Sequence, residues 1–248
     1  MTDKASLKIA PDVLEMLHEG VGLNTTGEVF RQLSTSIPEI SGSPTESAIL
    51  SWVVFDLAMD IDELKQGHKI LQVEAFNSEK KRSGVLTKMN GKKIHAHWKG
   101  AAEMILSMCS NYYTKNGNII PMNDEERTQF EMIIKDMAAK SLRCITLVTE
   151  SVEVSRKIEE TGLTLLGLVG LKDPSRPGVR AAVQACRDAG VDVKMITGDN
   201  IFTAKAIAIE SGIIKPDEDS NNAVIEGVTF RNYSDEERME KINTIQNG

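Results

Sequence analysis

Residues Leu163–Asn200 read LTLLGLVGLKDPSRPGVRAAVQACRDAGVDVKMITGDN, and the punctuation of this stretch sets the fold class. LTLLGLVGL is an apolar run that predicts a strand. Asp173-Pro174 ends it, and Pro177 and Gly178 keep regular structure from resuming at once. From Val179 a helix is expected, with Val179, Ala182, Val183, Cys186 and Ala189 at helical spacing and Gly190 as its stop. Val191, Val193, Met195 and Ile196 then predict a second strand, apolar enough for the interior of a parallel sheet. Thr197-Gly198-Asp199 follows where that strand would end, the edge at which open α/β sheets place ligands. A hydroxyl and a glycine amide there suit a phosphoryl oxygen. Strand, turn, helix and strand in this order make the chain α/β.

Composition bounds the rest. At 248 residues the chain suits one large or two ordinary domains, and 41% hydrophobic with 26% charged residues is the balance of a globular protein. No apolar run reaches the roughly 18 residues that cross a bilayer, so direct membrane insertion is not expected. MTDKASLKIA lacks the apolar centre of a signal peptide. A net charge of −7 argues against nucleic acid as a partner. The three cysteines, Cys109, Cys144 and Cys186, are widely spaced among apolar neighbours, which reads as reduced core thiols on the cytosolic side.

PDVLEMLHEGVGL is a helical pattern and NTTGEVF a turn and strand. Ser43-Pro44-Thr45-Glu46 places serine at N-cap, proline at N1 and glutamate at N3, a capping box leading a helix whose buried stripe is Ile49, Trp52 and Val53. KILQVEAF and SGVLTKM read as strands, Asn90-Gly91 as a hairpin turn and KKIHAHWK as the returning strand. Its alternation puts His95, His97, Lys93 and Lys99 on one face. With no third ligand near the H-x-H pair, that face reads as polar sheet surface and no metal site is expected. Phe76 stands at a strand end, where an aromatic is by frequency a core residue. Lys99 ends the returning strand; its flexible ammonium has the reach to meet a polyphosphate, and Gly100 leaves room beside it, before a helix expected over Ala101–Ser110. Asn123-Asp124-Glu125-Glu126 opens another capped helix, with Phe130, Ile133, Ile134 and Met137 as its apolar stripe. Arg143, inside the apolar SLRCITL, needs either a carboxylate or a phosphate as partner. Ile201–Gly212 and the segment after Ser234-Asp235-Glu236-Glu237 complete the helices.

DPSR and TGDN, separated by the helix RAAVQACRDAG, together resemble the hinge and second conserved motif of P-type ATPases, the cation pumps that pass through an aspartyl-phosphate. SGSPTESAIL, KGAAE, SLRCITL and TGDNIFTAKAIAIESGII look most like calcium pumps of the plasma-membrane type, especially the plant autoinhibited branch. The resemblance covers nearly the whole chain. It implies a nucleotide-binding (N) domain at 1–172, an antiparallel sheet with flanking helices. A hinge at 173–176 (Asp173, Pro174, Arg176) would join it to a partial Rossmann-like phosphorylation (P) domain at 173–248. ATP, as Mg-ATP, is the implied ligand. Phe76 would stack on adenine and Glu46 would lie beside it, as an alternative or addition to capping its helix. Lys81 would approach the nucleotide, Lys99 would reach the polyphosphate with Gly100 leaving room for the ligand, and Arg143 would meet the β-phosphate. Thr197 and Gly198 would hold the transferred phosphoryl group with Asp199 close by. The family's D-K-T-G-T and G-D-G-x-N-D segments do not occur in these residues. The chain is therefore expected to bind ATP without autophosphorylating, as part of a pump set in the plasma membrane or an endomembrane, with the remainder of that pump as a partner. The alternative is a truncated regulatory or dominant-negative nucleotide-binding protein without catalysis.

Overall fold

Helix α1 (Pro11–Gly22) leads to the short strands β1 (Glu28–Phe30) and β2 (Glu39–Ser41), and helix α2 (Pro44–Ser51) runs into a π-helical turn over Trp52–Asp56. Helix α3 (Ile61–Gly67) precedes β3 (His68–Asn77), β4 (Arg82–Met89) and β5 (Ile94–Ala101). Then come α4 (Ala102–Leu106), β6 (Cys109–Tyr113), β7 (Ile119–Pro121), α5 (Asp124–Ala139), β8 (Leu142–Val152) and β9 (Leu163–Lys172). Helices α6 (Val179–Asp188), α7 (Ile201–Glu210), α8 (Gly227–Arg231) and α9 (Asp235–Thr244) complete the order. This computed structural model describes residues 9–31, 37–89, 94–152, 160–215 and 223–244. The expected Asn90-Gly91 turn, with Lys93, lies outside them.

The chain divides into two compact units, the first formed by Met1–Ile134 with Cys144–Leu171 and the second by Lys135–Arg143 with Lys172–Gly248. Mixed α/β is the class of the whole, as the residue pattern predicts. The first unit is built on a seven-stranded sheet of order β3-β4-β5-β8-β9-β6-β7. Neighbours β3·β4, β4·β5, β5·β8 and β6·β7 pair antiparallel. The antiparallel expectation fails where β6 and β9 run parallel, with Cys109 opposite Leu163 and Tyr112 opposite Leu165. The long return through α5 and β8 gives the chain enough length to re-enter the sheet in the same direction.

Each face of the sheet carries its own core. On one side Leu86, Ala96, Trp98, Val148, Leu163 and Leu165 pack with Ile105 and Leu106 of α4 and with Phe130 and Ile134 of α5. On the other, Val13, Leu17 and Val21, spaced along α1, meet Ile49, Leu50 and Val53, with Leu147 and Leu166 beneath them. Helix ends follow the local chemistry. The Asn123 carboxamide accepts from the amides of Glu125 and Glu126 at 2.8 and 3.0 Å while Glu126 accepts from Asn123 N–H at 3.0 Å, a closed capping box. Ser234 and Glu237 repeat it at 3.2 and 2.7 Å. Helix α4 is shorter than expected, because β6 already begins at Cys109.

Two readings of strand faces are corrected. Val191–Ile196 forms no strand: residues 191–197 have no regular structure, and Ile196 is 99% exposed. Apolar alternation supplies side chains for a sheet but not the neighbouring backbone that a strand must bond. No described strand pairs with this segment. The H-x-H face of β5 is not solvated either: α1 lies against His97, and Lys99 is buried against Glu46 of α2.

Burial also sets the thiols. It pushes Cys109, whose Sγ–H donates to Ile105 O at 3.3 Å, up to about 12 and Cys144 up to about 11. Because the thiolate is the nucleophile, iodoacetamide at neutral pH is expected to label half-buried Cys186 first, with Cys109 and Cys144 reacting only on unfolding. Peptide mapping after timed labelling checks this; early modification of Cys109 contradicts it.

Candidate functional site

Three strand ends meet on one line across the sheet. Asn77 at the end of β3 pairs with Arg82 of β4, and Arg82 pairs with Gly100 of β5. That register brings Phe76, Lys81, Lys99 and Gly100 to the same edge of the first unit. Asn77 shapes the turn between β3 and β4 by accepting from the amides of Glu79 and Lys80 at 2.8 and 2.9 Å. Lys81 closes it in the left-handed region, at φ +50°.

Phe76 is 66% exposed, so the reading of this ring as core is excluded. It sits within a register shift, between Glu74 and Asn77, on an edge strand. An exposed aromatic at a strand end offers its π face to a flat partner.

Lys99 takes the opposite environment. Its side chain is 6% exposed, and its ammonium donates to Glu46 Oε2 at 2.6 Å. Thr25 Oγ1 donates to the same oxygen at 2.5 Å. Burial draws the Lys99 ammonium below the ordinary lysine value, against the pull of Glu46. Glu46 therefore half-fulfils its capping role. Ser43 Oγ accepts from Glu46 N–H at 3.3 Å, while the Glu46 carboxylate is engaged by Lys99 and Thr25.

Gly100 is required for a different reason from the one its sequence context gives. A Cβ at this position would lie 2.8 Å from Arg82 Cα and overlap the Lys81 carbonyl oxygen. The neighbouring strand fills the space a side chain would need. Thr25 and Arg82 went unnoticed in the sequence. Arg82 stacks over Trp98 at 5.4 Å and pairs with Glu160 at 2.5 Å. Its signal was the basic run Lys80-Lys81-Arg82 at a strand end. Thr25, 21 residues from Glu46, had none.

Arg143 belongs to the second unit, where a carboxylate partners it: Nη2 and Nε lie 2.7 and 2.9 Å from Asp199 Oδ1. Thr197 Oγ1 donates to Asp199 Oδ2 at 2.9 Å and accepts from Asp199 N–H at 3.1 Å. Asn200 caps α7 through Phe202 N–H at 2.8 Å. Thr197, Gly198, Asp199 and Arg143 thus form one cluster at the start of α7. Asp173, Pro174 and Arg176 lie in the exposed, irregular link between β9 and α6. Gly178, at φ +92°, admits the turn into that helix.

An aromatic ring, a lysine–glutamate pair and a basic turn at one sheet edge are the parts of a site for a flat, anionic ligand. Comparison with known proteins places the chain: residues 13–178 match the model of the P-type ATPase cytoplasmic domain N, and the chain belongs to the P-type ATPase family. It is 55% identical over 240 residues to calcium-transporting ATPase 12, plasma membrane-type, of Arabidopsis thaliana, covering 96% of this chain and 23% of that protein. With putative calcium-transporting ATPase 13, plasma membrane-type, of the same plant it shares 52% over 248 residues, 98% of this chain and 24% of the other. With calcium-transporting ATPase 7, plasma membrane-type, of Oryza sativa subsp. japonica the identity is 49% over 241 residues, 94% of this chain and 23% of the other. The chain thus spans about a quarter of the length of these relatives. Among the described residues no helix is long and apolar enough to cross a membrane.

Proposed function

We propose that this chain is the ATP-binding portion of a plasma-membrane-type calcium-transporting ATPase, with residues 1–172 as its N domain and 173–248 as part of its P domain. The meeting of exposed Phe76 with Lys81, Gly100 and the Lys99–Glu46 pair at one end of β3, β4 and β5 carries this reading. Adenine would stack on Phe76, beside Glu46. The triphosphate of Mg-ATP would run toward Lys81 and Lys99, its oxygens competing with Glu46 for the ammonium. Arg143 would take the β-phosphate by exchanging it for Asp199. Asp173, Pro174 and Arg176 would serve as the hinge that carries the nucleotide, and Thr197 and Gly198 would receive the transferred phosphoryl group. In the intact pump this transfer would drive calcium out of the cytosol, and the remainder of that pump would be the partner of this chain.

Titration with Mg-ATP is expected to shift the NMR signals of Phe76, Lys99 and Arg143. Base stacking on an aromatic contributes about 1–3 kcal/mol, so Phe76→Ala is expected to weaken ATP about 5- to 150-fold. Met132→Ala, an exposed apolar change on α5, leaves binding unchanged. Unperturbed Phe76 and Lys99 signals in folded protein would sink the assignment. These residues contain no D-K-T-G-T nucleophile, so no acid-stable γ-phosphate is expected on the chain by itself. Its incorporation would contradict the reading.

A further inference from the structure

All four histidines of the chain belong to the first unit, and three of them surround one carboxylate. Glu19, on α1, is fully buried beneath the sheet. Its Oε2 lies 3.0 Å from His95 Nδ1 and 3.0 Å from His97 Nε2, both on β5. Its Oε1 lies 3.3 Å from Nε2 of His68, the first residue of β3. Thr87 Oγ1, on the intervening strand, donates to Oε2 at 3.4 Å.

Hydrogen bonding accounts for only half of this arrangement. His95 and His97 satisfy Oε2 as N–H donors. Glu19 Oε1 and His68 Nε2 face each other within ion-pair range but without hydrogen-bond geometry, and both are buried with no hydrogen-bond partner. His68 Nδ1 is 2.8 Å from Leu64 O, and a carbonyl only accepts, so Nδ1 carries a proton. A buried carboxylate oxygen and a buried imidazole nitrogen, each without a hydrogen bond, are atoms that a bound cation would satisfy.

We propose that Glu19, His95 and His97 form a buried site for a divalent transition metal of the zinc class, which His68, beside the other carboxylate oxygen, would close as a fourth donor by moving onto the ion. Zinc–nitrogen and zinc–oxygen bonds of about 2.0–2.2 Å set tetrahedral ligand–ligand edges of about 3.3 Å. The two contacts of 3.0 Å from Glu19 Oε2 to His95 and His97 are already near that edge. The ligand atoms of Glu19, His95 and His97 all lie within 4.8 Å of one another. Three imidazoles and one carboxylate are a donor set that suits zinc and excludes calcium or magnesium, which prefer oxygen. The bond from His68 Nδ1 to Leu64 O is the outer-shell contact that orients a ligating imidazole. His95, with its side chain 15% exposed, marks the open side through which an ion enters. A metal here would tie α1 to β3 and β5, fastening the helix that lies over the sheet leading to Lys99.

The test uses the full chain, stripped with a chelator, dialysed and titrated with Zn²⁺ and in parallel with Co²⁺ at neutral pH. One equivalent is expected to bind, with the intense visible bands of tetrahedral Co²⁺. Imidazole NMR signals of His68, His95 and His97 shift while those of His18 stay. His95→Gln, at the least buried ligand, is expected to weaken Zn²⁺ by more than the ~10–100-fold that loss of an outer-shell partner costs, whereas His18→Gln does not. The shifts in unmodified protein decide the matter even if a variant misfolds. No stoichiometric binding, binding that leaves those three imidazoles unmoved, or undiminished affinity in folded His95→Gln would each overturn the proposal.

Discussion

Glu46→Gln is expected to lower the unfolding free energy by about 3 kcal/mol, the lower end of what breaking a buried ion pair costs. Its partner Lys99 keeps only 6% of its side chain exposed, and the Glu46 side chain is 17% exposed, so little water reaches the ammonium once the carboxylate is gone. Glutamine preserves the shape and an acceptor for Thr25, so the loss reports charge, not packing. Lys99→Met should recover most of the stability when combined with Glu46→Gln, because no charge is then left buried. A urea-unfolding double-mutant cycle measures the coupling directly. The pH dependence gives an independent check. Burial already draws Lys99 below its ordinary value, and in Glu46→Gln nothing opposes that fall. Between the depressed folded value and about 10.4 for the unfolded chain, the unfolded state binds more protons, so stability rises with pH. The variant should therefore regain stability as pH climbs toward 10. If Glu46→Gln stays within about 0.5 kcal/mol of the parent, the range of a neutral surface change, the pair is not the buried lock described here.

What was legible in the sequence was what short-range chemistry decides. The capping boxes at Asn123 and Ser234 form because donor and acceptor sit three residues apart on one turn. Phe76, Lys81, Lys99 and Gly100 were grouped by the family resemblance alone, and the strand register now sets them side by side. Illegible features depend on what packs across a long stretch of chain. Glu19 is an unremarked helix residue until His97, 78 positions later, is laid against it. The H-x-H face reads as solvated until α1 is placed over it. Phe76 fails the ordinary expectation of burial because β3 is an edge strand whose register shifts across this residue. Val191–Ile196 shows the converse. The side chains carry a strand pattern, yet a strand exists only where a second backbone lies beside it, and side-chain alternation does not encode that neighbour.

Gly100→Ala is the second large effect, and Gly167→Ala is its control. Both glycines lie in strands, so in both places alanine limits the freedom of the unfolded chain, a gain of about 0.4–1 kcal/mol where the native space allows it. At Gly167, in β9, a new Cβ meets nothing within 4 Å, and that gain should appear as a small rise in stability. At Gly100 the same methyl would lie 2.8 Å from Arg82 Cα and 2.8 Å from Arg82 Cβ. The obstacle is backbone, not a flexible side-chain end. It is also pinned, since Ala101 N–H donates to Lys81 O at 2.9 Å and Arg82 is the register partner of Gly100. Relief requires β4 and β5 to part at their ends, a cost at or above the ~1–3 kcal/mol of ordinary overpacking. Thermal unfolding of the two variants should therefore move in opposite directions from one chemical change. The displaced residues, Lys81 and Arg82, also border Phe76, so Mg-ATP affinity should fall in Gly100→Ala even at temperatures where it remains folded. Equal unfolding midpoints for the two variants would mean that the strand ends are looser than this geometry, and that Gly100 is kept for the ligand after all.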